Sequence, residues 1–181
     1  MIESSLILLK PDAVSRGLVG AIISRFEAVW LDIVAINKLT PTTEMVRKHY
    51  PTDRTERVQS LGKRSKDDYL SYGRDVAKDF GTNDEYEIGA QVCGRLVENL
   101  TSWPVVAIVV SWNAAIKLVR KIIGHTVPAE ALPGSIRGDY STDNAYMANT
   151  EKRPIRNLIH ASGNAEEATF EIDLRFPTQH S

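Results

Sequence analysis

The run Asn157-Leu158-Ile159-His160-Ala161-Ser162-Gly163-Asn164 places an imidazole between a basic stretch and an acidic one. Such a histidine is either a packed ring or a nucleophile. A nucleophilic imidazole must be neutral, with one nitrogen pinned by a hydrogen bond that fixes the tautomer. Glu171, eleven residues on, is the candidate for that pin, because Phe170-Glu171-Ile172-Asp173-Leu174-Arg175-Phe176 alternates strictly and reads as a strand with Glu171 on its polar face. Other chemistries find less support. No Cys or His pair has zinc spacing, and no Gly-x-x-x-x-Gly-Lys-Ser/Thr run is present to build a phosphate-binding loop. His49 precedes Tyr50, His125 adjoins Gly124, and His180 lies near the C-terminus.

The elements that would carry these residues follow from periodicity. Residues 4–9 read as a buried strand stopped by Lys10-Pro11. Leu18, Ile22, Phe26 and Val29 give a helix one broad apolar face, and residues 31–39 read as a second strand. Thr40 is the expected cap of a short helix running to Tyr50, with Pro41 at its first position. Residues 105–112, Val-Val-Ala-Ile-Val-Val-Ser-Trp, are apolar on both faces and so central to the sheet. Asn113 is the expected cap of the next helix, and Gly124 its left-handed stop. Asn164 caps a further helix, with Glu166 and Glu167 in its first turn. This order suits a single α+β domain of the ferredoxin-like class, an antiparallel sheet with helices on one face. Residues 51–103 exceed a minimal version of that fold and read as an inserted helical excursion. Residues 141–155 form a second, polar segment, a lengthened loop before His160.

Composition narrows the function classes. A chain of 181 residues that is 43% hydrophobic and 25% charged buries a core, and a net charge of −1 gives no global field for nucleic acid or anionic membrane. Aromatics at 7% and no RNA-recognition signature argue against single-strand binding. One cysteine, Cys93, cannot form an internal disulfide and suits a reducing compartment. The start has no basic n-region or cleavage site, and no stretch reaches the ~20 apolar residues of a membrane span, so the expected location is the cytoplasm.

Four runs together resemble the nucleoside diphosphate kinase family: L-I-L-L-K-P-D-A-V-S-R-G-L-V-G, H-Y-P, R-K-I-I-G-H-T-V-P-A-E-A-L-P-G-S-I-R-G-D-Y and R-N-L-I-H-A-S, in the family's order. The resemblance covers the first fifty residues and about 105–176. It implies transfer of the terminal phosphate of a nucleoside triphosphate to a nucleoside diphosphate, in ping-pong fashion through phospho-His160, with magnesium carried on the nucleotide phosphates and no metal held by the protein alone. Imidazole suits this step because a phosphoramidate can return its phosphoryl group. By the same resemblance, Glu171 orients His160, Ser162 supports Glu171, and Tyr50 sits beside the histidine. Lys10, Arg120, Thr126 and Arg137 surround the phosphates, and Asn157 meets the sugar. A phenylalanine that stacks the base in the family has no counterpart after Tyr50, leaving Leu61 or Val58 for that role. Gly163 stands where many members have an aspartate, and is followed by Asn164. The resemblance also implies a homo-oligomer built from dimers, although the tail Pro177-Thr178-Gln179-His180-Ser181 is short for bracing neighbours. The alternative is a non-catalytic relative that binds nucleotide or single-stranded nucleic acid.

Overall fold

The structure is a computed structural model that describes residues 2–50 and 54–176; His180 and the tail lie outside them. The chain divides into two compact units. The first comprises residues 1–41, 103–142 and 157–181, and the second 42–102 and 143–156.

The first unit holds the sheet. Strands β1 (Ile2–Leu9), β2 (Asp32–Leu39), β3 (Val105–Asn113) and β4 (Ile159–Ala161) run in the order β2-β3-β1-β4, every neighbour antiparallel. Helices of this unit are α1 (Pro11–Ser15), α2 (Val19–Glu27), α7 (Ala115–Ile123), α8 (Ile136–Tyr140) and α10 (Ala165–Arg175). Period-2 alternation sends Ile7, Leu9, Val106, Ile108 and Val110 to one face, where they pack against Ile22 and Phe26 of α2 and Ala115, Val119 and Ile123 of α7. Leu6 and Leu8 point to the opposite face and are also fully buried. The run 105–110 is buried at every residue, as its apolar character requires of an inner strand.

The second unit is helical: α3 (Thr43–His49), α4 (Thr55–Ser71), α5 (Val76–Phe80), α6 (Glu85–Thr101) and α9 (Ala145–Thr150). Tyr69, Val76, Phe80 and Ile88 form its core. Gly62 of α4 and Gly89 of α6 let these helices cross with backbones in contact. A Cβ on Gly62 would lie 1.7 Å from the Glu85 carbonyl oxygen, and one on Gly89 2.0 Å from that of Val58. The polar segment 141–155 is not a plain loop: Asn144 caps α9, and the Tyr69 hydroxyl donates to the Asn149 carbonyl at 3.2 Å.

Several expected boundaries move. Residues 170–176 are not a strand, because α10 continues through Arg175. Its buried face is Ala168, Glu171 and Arg175, helical spacing occupied by a small residue and two charged ones, while Phe170 is 52% exposed. The apolar alternation there was not a core pattern. The fourth strand is instead the three-residue β4, on which His160 itself sits. Thr42, not Thr40, caps its helix through the Met45 N–H, leaving Pro41 outside. Asn113 ends β3, and the start of α7 is capped from another strand, by the Glu3 carboxylate accepting from the Ile116 N–H at 3.1 Å. Gly124 has φ 81 and ψ −169, a region open essentially to glycine but not the left-handed stop expected.

Candidate active site

His160 pairs with Leu8 of β1, so its side chain leaves the sheet on the face opposite Ile7 and Leu9. Nε2 of His160 lies 2.7 Å from Oε1 of Glu171, and Oε2 of Glu171 accepts from the Ser162 hydroxyl at 2.7 Å. Both oxygens of a carboxylate that is 5% exposed are thereby engaged. Ser162 is fixed in turn, its Oγ accepting from the Leu6 N–H at 3.1 Å. Glu171 reaches this position from a helix, not from the polar face of a strand. The expected carboxylate lies beside His160, but a helix carries it where a strand was expected.

A second group gathers around Asn157. The Lys10 ammonium donates to Asn157 Oδ1 at 2.5 Å, and Asn157 Nδ2 donates to the Thr126 carbonyl at 2.9 Å. Burial pulls the Lys10 pKa down to about 8; Asp12 opposes this and Arg137 adds to it. Arg137 is buried, and its guanidinium spans four backbone carbonyls: Nε to Asn157 at 3.1 Å, one terminal nitrogen to Gly124 at 3.0 Å and His125 at 3.2 Å, the other to Ile159 at 2.6 Å. Ser135 caps the helix that presents it. Arg120 stands in the last turn of α7, exposed. Lys10, Thr126, Arg137, Asn157, His160, Ser162 and Glu171 thus form two linked clusters in one unit.

Tyr50 and Leu61 belong to the second unit. Tyr50 ends α3 and meets the His49 ring edge-on at 4.6 Å. Leu61 is half-buried on α4, whereas Val58 is 2% exposed and committed to packing. Gly163 donates its N–H to Glu167 Oε2 at 2.9 Å, while Glu167's own N–H donates to Asn164 Oδ1 at 2.8 Å. This reciprocal pair resembles a capping box.

One residue escaped sequence reasoning. Asp12, third in Lys10-Pro11-Asp12, accepts from the Leu158 N–H at 2.9 Å. Its signal was an acid just inside a proline-initiated helix, which reads as an ordinary first-turn charge.

The sheet order and the helices that cover it define a ferredoxin-like α+β protein, in which a carboxylate-held histidine shares one unit with a buried arginine and a half-buried lysine. The chain belongs to the nucleoside diphosphate kinase family, whose model matches residues 3–60 and 85–181. A nucleoside diphosphate kinase of Pyrobaculum aerophilum is 43% identical over 175 residues, covering 97% of this chain and 95% of that protein. The crystal structure of an NDP kinase from the same organism superposes with a TM-score of 0.94 at 42% identity, over 98% of this chain and 97% of the other. A transition-state mimic of the Borrelia burgdorferi kinase with bound vanadate and ADP gives 0.75 at 32% identity, over 98% and 88%. This chain is therefore a phosphotransferase that moves the terminal phosphate of a nucleoside triphosphate to a nucleoside diphosphate.

Proposed function

We propose that the phosphoryl group passes through His160 in two half-reactions. A neutral imidazole that donates Nε2–H to Glu171 carries its lone pair on Nδ1, which attacks the terminal phosphorus. The P–N bond forms as the P–O bond to the departing diphosphate breaks; a second diphosphate then reverses the step. Glu171, held by Ser162, fixes the tautomer and steadies the positive charge that grows on the ring. The observation that carries this reading is the continuous chain from His160 through Glu171 to Ser162. It also disfavours a non-catalytic binding relative, which has no need of a pinned imidazole. The vanadate and ADP complex of the Borrelia burgdorferi relative supports it from outside the chain.

Lys10, Arg120, Arg137 and Thr126 receive the phosphates, where charge spread over the transferring oxygens calls for cationic clamping. Arg137, tied by its backbone contacts, contributes a fixed field. Asn157 holds the sugar. Tyr50, as the histidine's neighbour, and Leu61, as an apolar contact for the base, are carried from the family resemblance alone. The donor set around Asn157 is cationic and amide, and the Glu171 carboxylate is already engaged, so the residues fit a polyphosphate that brings its own magnesium. Magnesium carried on the nucleotide would supply charge neutralisation there, with Lys10, Arg120 and Arg137 holding the phosphates.

The two segments beyond a minimal fold, 51–103 and 141–155, are read as an enlarged helical insertion and an extended approach to His160. Residues 61–84, outside the family match, support the first. A homo-oligomer built from dimers and a cytoplasmic location complete the reading; among the described residues no helix is long and apolar enough to cross a membrane.

The test is labelling. Protein given nucleoside triphosphate and magnesium without diphosphate should take up one acid-labile phosphoryl group per chain and discharge it onto added diphosphate. His160→Ala should do neither; a labelled Ala variant that passes the group on refutes the proposal.

A further inference from the structure

Leu158 has φ 67, a left-handed conformation that a non-glycine residue seldom adopts. The Ile159 N–H donates to the Asn157 carbonyl at 2.7 Å, closing a ring of one residue on either side of Leu158. A positive φ inside that hydrogen bond defines the γ-turn of the rarer, strained kind. It lies two residues before His160, and Leu158 is fully buried, so the strain is imposed by the surroundings.

Those surroundings can be named. The Leu158 N–H donates to Asp12 Oδ2 at 2.9 Å, and the Leu158 carbonyl accepts from the Lys10 N–H at 2.8 Å. Lys10-Pro11-Asp12 therefore grips both backbone groups of the strained residue. Arg137 holds the carbonyls on either side, those of Asn157 and Ile159. Of these contacts only that of Asp12 comes from a side chain with no place among the phosphate-handling residues. Without it a buried N–H would lose its acceptor, and the turn would relax toward the ordinary backbone region. Relaxation would swing β4, three residues long, and the imidazole at its centre.

We propose that Asp12 is a positioning residue for the phosphoryl transfer: its carboxylate holds the strained Asn157–Ile159 turn that aims His160. The inference rests on His160 being the acceptor. It concerns rate, not nucleotide affinity, because an imidazole displaced by a fraction of its reach loses attack geometry while the phosphate-binding groups stay in place.

Asp12 also lies near the Lys10 ammonium, so its charge must be separated from its hydrogen bond. Asp12→Asn keeps an acceptor for the Leu158 N–H and removes the charge; Asp12→Ala removes both. The rate of His160 phosphorylation by nucleoside triphosphate in a single turnover, kcat, and KM for the diphosphate are measured for both, with thermal unfolding alongside. The expected result is that Asn stays within about threefold of the parent while Ala falls about tenfold or more in both rates, with KM changed by less than about twofold. Equal losses in Asn and Ala would assign the effect to charge and overturn the proposal. So would an unchanged Ala variant, or a loss confined to KM. Should Ala not fold, the Leu158 amide proton decides by NMR: a carboxylate acceptor places it downfield, and Asn should move it upfield. An unmoved resonance overturns the proposal. Absence of any phosphoenzyme in the parent protein would instead strike at His160 itself.

Discussion

A lysine that titrates near pH 8 must register an anion brought beside it as an exchange of protons. Lys10 falls from 10.5 to about 8, burial outweighing the nearby Asp12 and the Arg137 guanidinium reinforcing it. Below pH 8 its ammonium is charged in both the folded and the unfolded chain, and the fold carries a burial cost of about 3 kcal/mol at most. Between about pH 8 and 10.5 the folded chain releases its proton first, so this contribution to stability rises with pH. On the proposed role of Lys10 at the phosphates, a bound polyphosphate should supply the missing counter-charge and restore the proton. Binding of nucleoside diphosphate at about pH 9 should take up about nine-tenths of a proton, against about one-tenth at pH 7. Titration calorimetry in two buffers of different ionisation enthalpy reads the uptake directly. Lys10→Arg, permanently charged, should lose most of it. An uptake below about two-tenths at pH 9 in the parent, or an equal uptake in the Arg variant, would refute the reasoning.

Two further substitutions test local packing. Gly62→Ala drives a methyl into the Glu85 carbonyl and should cost about 3 kcal/mol or more in denaturant unfolding, whereas Gly94→Ala, in the same pair of helices with nothing within 4 Å of the added atom, should stabilise by up to about 1 kcal/mol. Gly163 does not have positive φ, and a Cβ there meets only the far end of the Glu167 side chain, at 2.8 Å. Gly163→Asp should therefore fold, lose less than about 1 kcal/mol, and alter the magnesium dependence of the rate more than its maximum; unfolding of this variant would refute that account.

The residues of the site were more legible than the elements that bear them. His160, Glu171 and Ser162 are brought together as expected, because a motif of chemically specialised residues survives any error in secondary structure. The last helix was misread because its buried positions hold Glu171 and Arg175, so apolar periodicity marked the wrong face. Asn164, with Glu166 and Glu167 behind it, already announced a helix, and continuing it would have corrected the reading. The strand carrying His160 is three residues long, below the length at which alternation can be recognised. Caps misplaced at Thr40 and Asn113 share another cause: the groups that satisfy a helix start can come from two residues further on, as Thr42 does, or from a distant strand, as Glu3 does. Asp12 was hidden for the same reason, since its partner lies at position 158.

The strand order has a consequence for the time course of folding. β1 pairs along its length with residues 106–113 and then with 159–161, and β2 also waits for β3, so no two sheet neighbours are close in sequence. The helices of 42–102 contact one another over shorter separations than the strands do, as Gly62 meets Glu85, and contacts of lower separation form faster. Those helices are therefore expected to form early, and the sheet late. The loop closures that join β1 to β4 come near the end, and β4, which carries His160, takes its place in the sheet only then. A refolding experiment that follows ellipticity and recovered activity together should show helix signal well ahead of phosphoryl transfer.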